Sequence, residues 1–416
     1  MNDFDVIVIG GGLAGTAAAI AASREGANTL LIEQSGFLGG ATGNNYVNPF
    51  MRFIAYPDDG ENIIVNKGIF QEILKRLEDL NALGYRYLFH EDILKLILDR
   101  MTGENNVKVL FNSYLIGAET KNNKIEEIAV ANKAGKMAFK AKYFIDCTGD
   151  ADLAFLSGVP YQLGRIEDNK CQPMTLCFRV GDVDVETFWE DRTIATKLYQ
   201  QFQKEGKIKN QREDILTFKN ISNSVVHFNS TRVLDKNPTD PWELSEAEME
   251  AREQMFELFN FMKENVKGFE NSTLLSAAPK IGVRESRMIE GEYTITLEDF
   301  MNCKIFDDSI ACGCYGVDIH NPDGSGSRTE EMKGLYYTIP YRSLVPKTLT
   351  NCLVAGRCIS ASHEAQSACR VMPITCCMGE GAGLAVAQLN KYNKQTNEID
   401  IEELHKTLDK YDCKYD

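Results

Sequence analysis

The chain has 416 residues, 44% of them hydrophobic and 25% charged, which is enough to bury two cores, and nothing in it reads as disordered over the length of a domain. A formal net charge of −15 with no basic stripe argues against an extended phosphate backbone or an anionic lipid surface, so neither nucleic acid nor membrane is expected as a partner. The twelve cysteines follow no disulfide rhythm and form no Cys-x-x-Cys pair, so reduced thiols in a cytoplasm are expected and a metal site is not.

Val6 to Ile9 is a continuous apolar run bounded by glycines, which reads as a strand buried on both faces, and Leu13 to Arg24 is alanine-rich enough for a helix. Between them lies Gly10-x-Gly12-x-x-Gly15. Gly10 permits a tight turn, Gly12 removes the Cβ that would hold a pyrophosphate away, and Gly15 lets helix pack on strand, so the N–H groups at the helix start face phosphate oxygens. A second apolar run, Thr29 to Ile32, ends in Glu33, where a carboxylate can accept from ribose hydroxyls. Positions 6 to 23 carry no charge and are long enough for a membrane span, but three adjacent glycines interrupt them, and Asp3 and Asp5 stand where a secretory segment would carry Lys or Arg.

Gly36-Phe-Leu-Gly39-Gly40-Ala41 follows directly behind the acid, and its glycines let backbone pass close to a ligand, as a second contact to the same group. Lys67 to Leu83 and His90 to Met101 have helical apolar spacing. From Val107 the pattern becomes short and alternating: Val107–Phe111, Tyr114–Glu119, Ile125–Ala131 and Lys136–Phe139, a small antiparallel meander inserted between the strands of a larger sheet. Tyr143 to Asp146 is again a buried run, closed by Cys147-Thr148-Gly149-Asp150. Asp150 can hold a hydroxylated chain at the nucleotide edge, cap a helix, or do both.

Residues 161–333 have denser charge and read as a second, α+β domain that covers the substrate; residues 1–160 and 334–392 form the nucleotide domain, and 393–416 a polar tail with a last helix from Ile401. A long helix is announced at Ser245-x-x-Glu248, a capping box, with Met255, Phe259, Met262 and Val266 on its buried face. Cys352 to Ala355 is a strand that can rejoin the first sheet. Thr375 to Leu389 is helical, and Gly379, Gly381 and Gly383 in its early turns suggest close approach of something flat and bulky.

Taken together, Gly10-Gly-Gly12-Leu13-Ala14-Gly15, the doublet Gly39-Gly40, Thr148-Gly149-Asp150, Gly282-Val-Arg284-Glu-Ser-Arg287 and the run from Ile339-Pro-Tyr-Arg342 through Gly356-Arg357-Cys358 to Arg370-Val-Met-Pro373 resemble the FAD-dependent oxidoreductases of the two-domain, glutathione-reductase-like class, related to flavoproteins of the fumarate reductase and succinate dehydrogenase type. The resemblance covers nearly the whole chain. It implies an α/β fold with a Rossmann-like FAD domain carrying an inserted β-meander, plus a second α+β cap domain. It also implies FAD contacts at Gly10, Gly12, Leu13, Ala14, Gly15, Glu33, Gly39, Gly40, Ala41, Asp150, Gly356, Gly379, Gly381 and Ala382, the last three on a helix aimed at the flavin. Many members of the class bind the ribityl chain with a second Gly-Asp after the last strand; here Gly356-Arg357 stands there, and a guanidinium cannot accept, so Arg357 is expected to face phosphate or substrate.

The implied activity is hydride transfer between a small organic substrate, of hydroxy/keto or enoate type, and flavin N5, with the alternative of a non-redox isomerase or hydratase. His320 and His363 are the expected proton carriers, because histidine titrates near neutral pH, and Arg284, Arg287 and Arg370 the expected clamps for a carboxylate or carbonyl. No second Gly-x-Gly-x-x-Gly follows a strand, so the electron donor or acceptor is expected to be a separate molecule, and a homo-oligomer is possible.

Overall fold

The computed structural model describes residues 3–416. Strand β1 (Asp3–Ile9), helix α1 (Leu13–Arg24) and β2 (Thr29–Ile32) form the opening unit. Helices α2 (Ile69–Asp79) and α3 (Glu91–Glu104) lead to β3 (Lys108–Leu110), then to the meander β4 (Tyr114–Lys121), β5 (Lys124–Asn132) and β6 (Gly135–Asp146). Strands β1, β2, β3 and the second half of β6 run parallel, in the order β3-β2-β1-β6. The two runs expected as separate strands, 136–139 and 143–146, are one: β6 pairs antiparallel with β5 at its start and parallel with β1 from Lys140 onward. Ala141 between two lysines lets the alternation of the meander pass without a break into the wholly buried end of the strand.

After β6 the chain enters a second layer. Strands β7 (Phe178–Gly181), β8 (Thr217–Lys219), β9 (Val226–Phe228) and β10 (Thr273–Ala277) make an antiparallel sheet in the order β8-β9-β7-β10, interleaved with helices α4 (Val185–Lys204) and α5 (Pro241–Asn265). Phe178 and Phe228 stack at 4.6 Å in its own core, with Phe188, Phe261 and Phe269 around them. Helix α5 starts four residues before the expected capping box. Asp240 accepts from the N–H groups of Trp242 and Glu243, and Pro241 occupies the first turn, so an Asp-Pro start pre-empts Ser245.

The chain continues through the hairpin β11 (Val317–His320) and β12 (Ser327–Glu330), then β13 (Cys352–Val354), α6 (His363–Cys369), α7 (Met372–Tyr392) and α8 (Ile401–Lys410). As expected from its apolar run, β13 rejoins the first sheet, parallel to β6 with Val354 opposite Asp146. Helix α7 packs along α1. A Cβ at Gly379 would lie 2.0 Å from the Ala14 carbonyl oxygen and one at Gly383 2.2 Å from that of Ala18, so the two backbones touch.

Candidate functional site

Parallel register places the carboxyl ends of β3, β2, β1, β6 and β13 on one edge, and a cleft of about 380 Å³ opens there. Its floor is the turn into α1. Gly10 has φ +96° with its Cα against the Cys147 carbonyl, a conformation and closeness that a side chain would oppose. At Gly12, by contrast, a Cβ would meet no protein atom within 4 Å: the space belongs to the cleft. No side chain caps α1 or α7, and both helix starts, at Leu13 and Ala14 and at Met372 and Thr375, line the same cleft. Two helix starts without side-chain caps around one groove suit a ligand with separated negative charges, such as a pyrophosphate and a ring that becomes anionic.

At one end Glu33 is buried and lines the cleft; its Oε2 accepts from the Gly11 N–H at 2.6 Å and its Oε1 from that of Ser35 at 2.7 Å, leaving further lone pairs for ribose hydroxyls. Gly39, Gly40 and Ala41 form the wall beside it, with the Gly39 N–H donating to the Gly11 carbonyl. Ser113, Tyr114 and Leu115 also line this end, a contribution that the strand Val107–Phe111 could have announced, because its end falls at the same sheet edge. Asp150 accepts from Arg357 Nη2 at 2.7 Å and Ser286 Oγ at 2.6 Å, so the arginine stands in the cleft with its charge balanced by the acid of the preceding strand end. Burial, with Asp150 and Asp146 nearby, pushes the Asp152 carboxyl up to about 6.

The second layer closes the far end. Asn45 donates to the carbonyls of Lys280 and Ile281, and Lys280, Val283, Glu248 and Arg370 all line the cleft. None of these four except Arg370 is picked out by local sequence, since each reaches the site only through the docking of the two layers.

Several expected site residues lie elsewhere. Gly379, Gly381 and Ala382 are buried inside α7, two turns past its start, where the two glycines make room for the Ala14 carbonyl and for Ile310; helix-to-helix contact, not a flat ligand, requires them. Gly15 likewise serves packing, since a Cβ there would lie 1.8 Å from the Gly10 carbonyl oxygen. Arg287 does not line the cleft itself: it donates to the Asp150 carbonyl and to Asp152, both at 2.9 Å, against the rings of Phe155 and Tyr161. Neither histidine lines the cleft. His320 is buried beside Ser327 and Asp318, and burial together with the charge of Arg284 pushes its imidazolium down to about 3, which favours the neutral ring at physiological pH. His363 opens on a separate hollow with Arg165 and Arg328; burial opposes its charge, but the Glu285 carboxylate 2.6 Å from Nδ1 outweighs burial and raises its pKa.

All twelve cysteines are free thiols; Cys376 and Cys377 are buried in α7 and burial raises both. Among the described residues no helix is long and apolar enough to cross a membrane.

The chain is similar to solved structures of a geranylgeranyl bacteriochlorophyll reductase-like protein from Thermoplasma acidophilum (13% identity, 99% of this chain and 84% of that one, TM-score 0.47). It is also similar to p-nitrophenol 4-monooxygenase PnpA from Pseudomonas putida DLL-E4 (12%, 99% and 84%, TM-score 0.46) and to the myxobacterial chondrochloren halogenase CndH (13%, 99% and 79%, TM-score 0.45). No curated protein matches significantly. The family model of the FAD dependent oxidoreductases matches residues 5–408, from the first residues of β1 to α8, and spans every segment that lines the cleft: the chain belongs to that family, and its cofactor is FAD.

Proposed function

We propose that the protein is a dehydrogenase or reductase that exchanges a hydride between FAD and a small organic substrate of hydroxy/keto or enoate type. The observation that supports this reading most is the continuity of the cleft: the groove with the two uncapped helix starts runs on into a polar end bounded by Lys280, Val283 and Arg370 from different layers. FAD, when bound, supplies a two-electron acceptor or donor for this chemistry.

The chain's own residues have these roles. The N–H groups at Leu13 and Ala14 hold the pyrophosphate, with space left by Gly12; Glu33 accepts from the adenosine ribose; Arg357, held by Asp150, adds a donor for phosphate oxygens. The start of α7 puts its positive end where negative charge grows on reduction. Residues of the second layer shield the reacting carbon from water. Electrons leave or enter through a separate partner molecule.

Anaerobic mixing of the flavin-loaded protein with hydroxy acids, keto acids under reducing conditions, and enoates tests this. A substrate of one of these types should change the flavin's redox state with single-turnover stoichiometry. Turnover in the absence of any external donor or acceptor would contradict it and favour an isomerase or hydratase.

A further inference from the structure

Among the described residues the buried arginines, Arg212, Arg232 and Arg287, are matched to acids, and so is the half-buried Arg357. Arg287 meets Asp152 at 2.9 Å, Arg357 meets Asp150 at 2.7 Å, Arg232 meets Glu213 at 2.9 Å and Arg212 meets Asp214 at 2.8 Å. Arg284 has only neutral acceptors: its Nη1 donates to the Pro173 carbonyl at 2.5 Å and to Thr175 Oγ1 at 2.7 Å, with no carboxylate at ion-pair distance among the described residues. A charge drawn partly out of water without a counter-charge is costly, so this half-buried, unmatched guanidinium calls for an explanation.

Arg370 makes the imbalance larger. It lines the cleft beside Met372 and Thr375, its Nη2 is 3.7 Å from Asp318 Oδ2 and 3.3 Å from the Asp318 carbonyl, and its Nε is buried without a partner. The Asp318 carboxylate is already engaged by the Tyr315 hydroxyl at 3.1 Å, with His320 Nε2 3.6 Å away. The two arginines therefore share one carboxylate, and burial together with the charge of Arg370 pushes the Arg284 pKa down to about 9, so Arg284 remains cationic at neutral pH. Glu248, the acid at this end of the cleft, accepts from the Ile281 N–H and faces Arg252 instead. Lys280 adds another cation at the cleft wall.

We propose that this part of the cleft is a carboxylate subsite: the substrate is a small organic acid whose carboxylate is bound by the Arg370 guanidinium, while Arg284 supplies the excess positive charge. This rests on the oxidoreductase reading above and narrows its substrate to organic acids. An anion there supplies the missing counter-charge.

The test uses protein loaded with FAD and follows both thermal melting and the visible flavin spectrum. The probes are acetate, succinate and benzoate at constant ionic strength, against acetamide, succinamide and benzamide. Carboxylates should raise the melting temperature and perturb the spectrum in a saturable way, whereas the amides should do neither. Arg370→Met should take up FAD as the parent does and lose this response, Arg370→Lys should keep part of it, and Arg284→Gln, which retains an N–H donor for Pro173, should weaken carboxylate binding on the order of tenfold. Equal responses to acids and amides would overturn the proposal, as would loss of FAD uptake in Arg370→Met, which would assign that arginine to the cofactor. Failure of the parent protein to take up FAD would instead overturn the reading on which the proposal rests.

Discussion

Asp150 and Arg357 join the ends of two parallel strands, β6 and β13, by a 2.7 Å ion pair at the cleft, and Asp150 reaches on to Ser286 of the second layer at 2.6 Å. The acid thus spends one oxygen on orienting the arginine. Arg357→Met should weaken FAD binding about 10- to 100-fold, the loss of a hydrogen bond between charged groups, and should flatten the salt dependence of binding. Fluorescence titration of apoprotein with FAD at two ionic strengths checks both. Unchanged affinity would place the guanidinium outside cofactor binding.

Gly379→Ala should destabilise the fold by about 3 kcal/mol, the scale of an overpacked core position, because the new methyl would lie 2.0 Å from the Ala14 carbonyl oxygen. Gly103→Ala, also in a helix but with open space at the Cβ position, should be neutral or stabilising by up to about 1 kcal/mol. Urea unfolding of the pair separates packing from helix propensity.

Glu380 carries a pH-dependent cost. It is buried in α7, its Oε2 accepts from the Ile69 N–H at 2.8 Å, and burial pushes its pKa up from 4.5 to about 7, with Arg24 opposing and Glu72 reinforcing the rise. Because the folded state holds this proton more tightly than the unfolded chain, its stabilising contribution is full below 4.5 and lost as pH climbs through about 7. The total is roughly 3 kcal/mol. Glu380→Gln should remove this part of the pH dependence and be the more stable protein at alkaline pH; equal slopes for the two proteins would refute the assignment.

The dinucleotide edge of the fold is legible in sequence because its determinants are local: strand, Gly10-x-Gly12-x-x-Gly15 turn, helix, strand and Glu33 lie in one short stretch, and each glycine has a separate steric reason. The return of β13 to the sheet is legible from its apolar run alone. Helix α4 escapes notice, although Asp184 accepts from the Thr187 N–H as its N-cap and Phe188, Ala195 and Tyr199 form its buried face. Gly379 and Gly383 mislead because a glycine says only that something comes close. The companion signal is Ala14 and Ala18 on α1, at the same four-residue spacing, which identifies that something as another helix. The positions of His320 and His363 depend on how the β11–β12 hairpin and α6 dock, and no local pattern encodes that.

The most direct measurement compares FAD binding and folding in Gly12→Ala and its parent. The added methyl would touch no protein atom within 4 Å, and Gly12 has φ −64°, so melting in the absence of flavin should shift by no more than about 1 kcal/mol. If the pyrophosphate rests on the start of α1, that methyl occupies its place and FAD affinity should fall at least about 100-fold, equivalent to roughly 3 kcal/mol. A Gly12→Ala protein that folds like its parent and binds FAD just as tightly would show that the cofactor lies somewhere other than this cleft.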